Sequence, residues 1–242
     1  MTREAKEWWA VAAEGFQDGL DLDVGLNWTG FGADDLGIFE DVTGTEMLEL
    51  GCGGGQCAVA LAKRGADVTG VDISAEQLGY ARARAAEHDV AVGFVQGDVT
   101  DLGVAGQVFD VAYNAWVFQW VGDLDACFEE TYRVLRDGGR FVFSLPHPVY
   151  TLADPETHRV EESYFDTGRR VTANEDGPDQ VTYRHAVGDV HNALVDAGFR
   201  VERLLEPGSE DPDEHEGGPW GEYTPELMAK LPSTVLFEAR KR

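Results

Sequence analysis

Cysteine, lysine and long apolar runs are scarce in this sequence. Three cysteines, Cys52, Cys57 and Cys127, are too few and odd in number for a disulfide framework. None has metal-ligand spacing to a histidine, so each is expected to act as a small buried apolar residue. Lysine occurs only at Lys6, Lys63, Lys230 and Lys241. With 19 basic against 45 acidic residues, the formal net charge is −26. A surface of that sign repels phosphate backbones, which argues against nucleic acid and anionic membranes as partners. No run of 18 apolar residues is present, so no membrane span is expected. Residues 1–15 carry Arg3, Glu4, Lys6, Glu7 and Glu14 and lack a signal-peptide core, so a cytoplasmic location is expected.

The acids are spread along the whole chain rather than gathered in one tail. That spread favours a protein adapted to molar salt over one shaped to repel particular partners. The Debye length falls to roughly 3 Å at 1 M salt, where such self-repulsion is tolerable. With 242 residues the chain suits one large α/β domain with an appended cap.

The most informative stretch runs from Thr45 to Ile73. Met47, Leu48 and Leu50 read as a buried strand, followed at once by Gly51, Gly53, Gly54 and Gly55. Ala58 to Ala62 read as a helix stopping at Gly65, and Ala66 to Val71 as a second strand ending in Asp72. Strand, glycine turn, helix, strand and acid form the first half of a nucleotide-binding βαβ unit. Without Cβ atoms the turn lets the main chain approach a flat ligand and adopt positive φ. An acid about 20 residues beyond the turn reaches the ribose hydroxyls, a charge-assisted contact contributing roughly 1.5–3 kcal/mol.

The dinucleotide fingerprint G-x-G-x-x-G is only partly met, because Gln56 stands at the third glycine position. The pattern Glu49-x-Gly51-x-Gly53-x-Gly55 instead resembles motif I of the class I S-adenosylmethionine (SAM)-dependent methyltransferases. Glu49 suits a methionine ammonium and would repel a pyrophosphate. The resemblance implies a three-layer, Rossmann-like, doubly wound α/β fold of about seven strands. Its last strand runs antiparallel between strands five and six. It covers residues 40–150 and continues over 185–242.

Four segments are expected: an N-terminal helical cap (1–40), a SAM-binding core (41–150), an inserted lid (151–184) and the C-terminal part of the core (185–242). Trp8, Trp9, Val11, Ala12 and Phe16 have helical spacing, and 34–40 has the length of a short helix. Ser74 with Gln77 three residues on forms a capping box for a helix to about His88. Val90–Val95 and Val108–Asn114 read as strands. A helix from Asp123 or Asp125 is expected to end at Asp137-Gly138-Gly139, before a fifth strand over Arg140–Leu145. A helix from His185 or Val187 to Ala197, ended by Gly198, and strands 199–205 and 233–240 complete the chain. Within 151–184, β-like pieces lie at 159–165 and 169–171.

The resemblance assigns cofactor contacts to Glu49, Gly51, Gly53, Gly55, Gln56, Asp72, Ile73 and Gln77. It also assigns Asp98 and Val99 to the adenine, and Asn114 and Ala115 to the methyl end. Asn114-Ala115-Trp116 replaces the acid or Asn, two prolines and aromatic of the amino-DNA methyltransferases, so that subfamily is disfavoured. His147 lies between Pro146 and Pro148 at the carboxyl end of the fifth strand and is the expected general base. Trp8, Trp28, Phe118, Gln119, Tyr150 and Tyr183 are the expected acceptor pocket, with Tyr164, Phe165 and His185 as further lid contacts. The implied activity is methyl transfer to an O, N or C nucleophile of a small molecule by direct displacement. No metal is expected, because a sulfonium is already activated. A monomer or homodimer is expected. A SAM-binding sensor without turnover is the alternative, and an NAD-linked oxidoreductase is disfavoured by Glu49 and Gln56.

The charge imbalance carries a measurable consequence. The melting temperature should rise between dilute buffer and molar KCl, and a value independent of salt would contradict adaptation to high ionic strength.

Overall fold

Met47, Leu48, Glu49 and Leu50 are all buried because β1 (Glu46–Leu50) runs through the middle of a sheet covered on both faces. Alternate side chains sort to opposite layers. Leu48 and Leu50 join one cluster, with Val71, Ala112, Phe141 and Phe143. Met47 joins the other, with Val68, Val111, Tyr113 and Val142. The computed structural model describes residues 3–19, 24–30, 35–175, 177–218 and 221–242.

In chain order the elements are α1 (Arg3–Gly19), β1, α2 (Gln56–Lys63), β2 (Asp67–Asp72), α3 (Ala75–Glu87), β3 (Gly93–Gln96) and β4 (Phe109–Ala115). Then come α4 (Leu124–Val134), β5 (Leu135–Pro146), β6 (Gly168–Thr172), β7 (Gln180–Arg184), α5 (Val187–Asp196), β8 (Phe199–Leu205), α6 (Pro225–Met228) and β9 (Thr234–Lys241). The main sheet has seven strands in the order β3-β2-β1-β4-β5-β9-β8. β1 to β5 are mutually parallel, whereas β9 lies antiparallel between β5 and β8. This is the doubly wound architecture the resemblance implied. The chain proceeds from β1 outward to β2 and β3, then returns to place β4 on the other side of β1. A crevice opens at the carboxyl ends of β1 and β4, where the winding reverses.

Aromatic rings fill one layer. Phe143 stacks on Phe237 at 5.3 Å, and Phe118 meets Phe143 edge-on at 4.8 Å. Each such pair contributes about 0.5–1.5 kcal/mol beyond area burial. On the other face Trp28 packs on Phe39, which meets Tyr113.

Three local expectations are corrected. Helix α4 ends at Val134, not at the glycine pair, and the chain passes directly into β5. The buried ammonium of Lys241 donates to the carbonyls of Tyr132 (2.7 Å) and Leu135 (2.8 Å), satisfying the helix end from a strand far along the chain. Residues 35–40 form turns rather than a helix, and Asp34 lies outside the described residues. Within 151–184 the β-structure is the antiparallel hairpin β6–β7, while 159–165 contributes only the isolated bridge of Val160 to Ala153. Among the described residues no helix is long and apolar enough to cross a membrane.

Candidate active site

The glycine turn is tied to the end of β2. The N–H groups of Gly51 and Cys52 donate to the carbonyl of Val71 at 2.7 and 3.0 Å. Asp72, the next residue, accepts from Gly53 N–H on Oδ2 and from Ser74 N–H on Oδ1, both at 2.8 Å. Gly51 and Gly53 have φ of 67° and 50°, the left-handed region that side chains disfavour. At Gly51 a Cβ would also lie 2.5 Å from Val117 Cγ1. One carboxylate thus holds the turn and the start of α3, whose N-cap Ser74 Oγ accepts from Gln77 N–H at 3.1 Å. Burial raises the Asp72 pKa, while the N–H bonds from Ser74, Gly53 and Ile73 oppose that rise.

Glu49 sits two residues before the turn and is 4% exposed. Burial pushes its pKa up to about 8, against the opposing hydrogen bond from Tyr113 Oη at 3.1 Å. Glu49 and Asp72 both border a cavity of about 990 Å³ at the carboxyl ends of β1 and β4. Gly51, Gly53, Gln56, Ile73, Gln77 and Ala115 also border it. One face of α1 closes it, through Trp8, Trp9, Ala12, Gly15 and Phe16, spaced as one helical stripe. Gln17, at the end of that face, donates to Gln77 Oε1 and accepts from Gln56 Nε2 and Arg84.

Residues 48–143 match the family described as "Methyltransferase domain". These residues form a class I methyltransferase domain. A SAM-dependent methyltransferase of solved structure from Mesorhizobium loti is 29% identical, with a TM-score of 0.67 over 84% of this chain and 93% of that one. A malonyl-[acyl-carrier protein] O-methyltransferase of Pectobacterium atrosepticum is 32% identical over 53% of this chain and 47% of that protein. A ubiquinone biosynthesis O-methyltransferase of Sinorhizobium medicae is 36% identical over 41% of this chain and 40% of that protein. The chain therefore spans about half the length, or less, of these curated relatives.

Several expected site residues of the methyltransferase domain and its flanks lie away from the cavity. His147 does not border it, although Pro146 and Pro148 do. Its Nε2 faces Glu206 Oε1 at 2.9 Å and its Nδ1 accepts from Val149 N–H at 3.2 Å, so neither nitrogen is left for a substrate proton. The general-base role expected for it is withdrawn. Phe118 and Trp28 are core residues, because the two aromatic layers claim their rings. Gly55 caps α2 against Ala81. The Asp98 carboxylate accepts from Thr100 N–H and Oγ1 within its own loop, and Val99 is fully buried; neither borders the cavity. Asn114 is fully buried and does not border the cavity, whereas Ala115 does. Trp8, Gln119, Tyr150 and Tyr183 do border the cavity.

Trp116, next to Ala115 at the strand end expected to face the cofactor, also borders it, as do Trp120, Tyr223, Asn27 and Arg184, which sequence reading missed. Trp116 has φ of 54°, a strained conformation for a bulky residue. Its N–H donates to Ser144 O and its Nε1–H to Thr234 Oγ1, and the ring lies against Gly30, where a Cβ would come within 2.4 Å. None of the missed residues stands in a local pattern that marks it as a wall residue, unlike the stripe on α1, whose helical spacing is visible in the sequence.

The raised pKa of Glu49 has a defined effect on stability. The folded protein keeps a proton at Glu49 up to about pH 8, whereas the unfolded chain releases it near 4.5. Stability from this group is complete below the lower value and is lost as pH rises toward the upper one, at up to about 1.4 kcal/mol per pH unit. Glu49→Gln mimics the protonated acid and should flatten the fall in melting temperature of the ligand-free protein across that window. Parallel pH curves for variant and parent would contradict the assignment.

Proposed function

We propose that the protein transfers the methyl group of SAM to a small-molecule acceptor, with oxygen as the acceptor atom. The observation that carries this reading is the pairing of Asp72 and Glu49 at the floor of the crevice, beside a turn without side chains. SAM fits these residues. Its ammonium and sulfonium call for nearby carboxylates, and its ribose calls for an acceptor at the end of β2. Asn27 Oδ1, buried at the cavity wall with no hydrogen-bond partner, offers a further acceptor. When bound, SAM supplies a methyl group already activated on sulfur.

In this reading Asp72 accepts from the ribose while keeping Gly53 and Ser74 in position, and Glu49 compensates the ammonium. Gly51 and Gly53 admit the ligand against the main chain, Ile73 and Gln77 line the adenosyl side, and Ala115 and Gln119 flank the reacting end. The chain's contribution to rate is alignment and exclusion of water under α1, and orientation of this kind is worth roughly 7–11 kcal/mol. The names of the two curated relatives, both O-methyltransferases, support oxygen as the acceptor atom. Segments 1–40 and 151–184 are assigned to the acceptor pocket, over a core of 41–150 and 185–242. The acidic surface is assigned to a salt-rich cytoplasm, with the protein acting as a monomer or homodimer without nucleic-acid or membrane partners.

Calorimetry tests the anchor. Asp72→Ala should weaken SAM binding at least tenfold, which corresponds to about 1.4 kcal/mol. Unchanged affinity, or no binding by the parent protein, would remove the basis of this reading.

A further inference from the structure

We propose that His185 is the general base of the reaction and that the acceptor is a neutral aromatic hydroxyl compound. This rests on the methyl-transfer reading above and deepens it. His185 follows β7 and borders the cavity. Its Nε2 lies 2.9 Å from the carbonyl oxygen of Val121 and 3.1 Å from that of Phe118. Carbonyl oxygens only accept, so Nε2 must carry the hydrogen and Nδ1 must hold the lone pair. Nδ1 has no hydrogen-bond partner among the described residues and is not among the buried orphaned atoms. An unprotonated nitrogen is therefore held, in a fixed tautomer, on a residue of the cavity wall. His147, by contrast, has both nitrogens engaged.

The surroundings keep the ring neutral. Burial lowers the His185 pKa, against the opposing carbonyl bonds and the charge of Asp189 in the first turn of α5. Of its neighbours in β7, Tyr183 stacks nearly parallel to the ring and Arg184 is turned to Thr151 and Glu162. The 3₁₀ turn Phe118–Trp120 and the residue after it meet the ring through the carbonyl oxygens of Phe118 and Val121.

The acceptor class follows from the cavity walls. Trp8 stacks on Trp120 at 4.8 Å, and Trp120 belongs to the turn that His185 holds. Trp9, Trp116, Tyr150 and Tyr183 add further aromatic wall, which suits a planar ring. The two arginines at the cavity, Arg170 and Arg184, are both paired with Glu162, and Arg170 also with Asp166. Neither leaves a net positive charge to receive a carboxylate, and the other titratable groups at the floor, Glu49 and Asp72, are acids. A neutral hydroxyl fits that field but needs a base, whereas a carboxylate needs none. In the step, the acceptor O–H proton passes to Nδ1. The oxygen lone pair forms the bond to the methyl carbon as the carbon–sulfur bond breaks and its electron pair stays on sulfur. The resulting imidazolium returns its proton to water.

Three measurements on the full chain test this. Nitrogen-15 NMR of the ligand-free protein, with the signal assigned by its loss in His185→Gln, should report the Nε2–H tautomer; the Nδ1–H tautomer would overturn the proposal. Methyl transfer from SAM should occur to phenol, catechol or naphthol and not to benzoate or octanoate. No transfer to any of these hydroxyl compounds, while SAM binds by calorimetry, would overturn this inference alone; absence of SAM binding would overturn the reading beneath it. His185→Gln should bind SAM as the parent does. It should lose about 10²–10⁴-fold in kcat on phenol with little change in KM, and lose the low-pH ionisation of the rate profile. Its loss should be smaller on the more acidic hydroxyl of 4-nitrophenol, assayed below that probe's own pKa so that both acceptors are neutral, a split which a merely misfolded site would not give. Equal losses on both probes, or no loss on either, would refute the assignment.

Discussion

The Asp72 carboxylate, taking one N–H from Gly53 and another from Ser74, is the contact on which the site depends. It joins three segments that the fold brings to one point: the turn after β1, the tip of β2 and the first turn of α3. Charge-assisted bonds of this kind are worth roughly 1.5–3 kcal/mol each, so the carboxylate can hold a strained turn open rather than merely border it. The cavity floor beneath is acidic on two sides, because Glu49 lies buried on the neighbouring strand. Desolvating two acids without a local cation is costly, and in the empty protein Glu49 meets that cost by staying protonated. A bound cation would relieve that cost, so the same arrangement that destabilises the empty site favours its ligand.

The acceptor side follows a different logic. Its walls are aromatic side chains from α1, the turn after β4, the segment after β5 and the β6–β7 hairpin, elements far apart in sequence. The Phe118–Trp120 turn links them. Phe118 anchors it in the core, Trp120 stacks under Trp8, and the carbonyls of Phe118 and of Val121, just past the turn, fix the ring of His185. Core packing and chemistry meet in three consecutive residues, of which only Trp120 and Gln119 face the cavity.

The core was legible because its signals are local. A glycine turn has to follow β1 directly, and an acid has to close β2, so spacing alone exposed Gly51, Gly53 and Asp72. The seven-strand order and the antiparallel last strand came from resemblance and were matched by the sheet. Expectations failed where the deciding partner was remote. Asp137-Gly138-Gly139 looked like a helix stop, but Lys241 caps α4 earlier. His147 looked poised between prolines, but Glu206 and Val149 occupy its nitrogens.

By itself the amino-acid order determined the βαβ unit, the acid pair at its ends and the acidic character of the surface. Each of these depends on neighbours within one or two elements. Tertiary structure alone decided which of Trp28 and Trp8 faces the cavity, and which of His147 and His185 keeps a free lone pair. Those outcomes rest on carbonyls, carboxylates and rings contributed from elsewhere in the chain, and no local spacing encodes their approach.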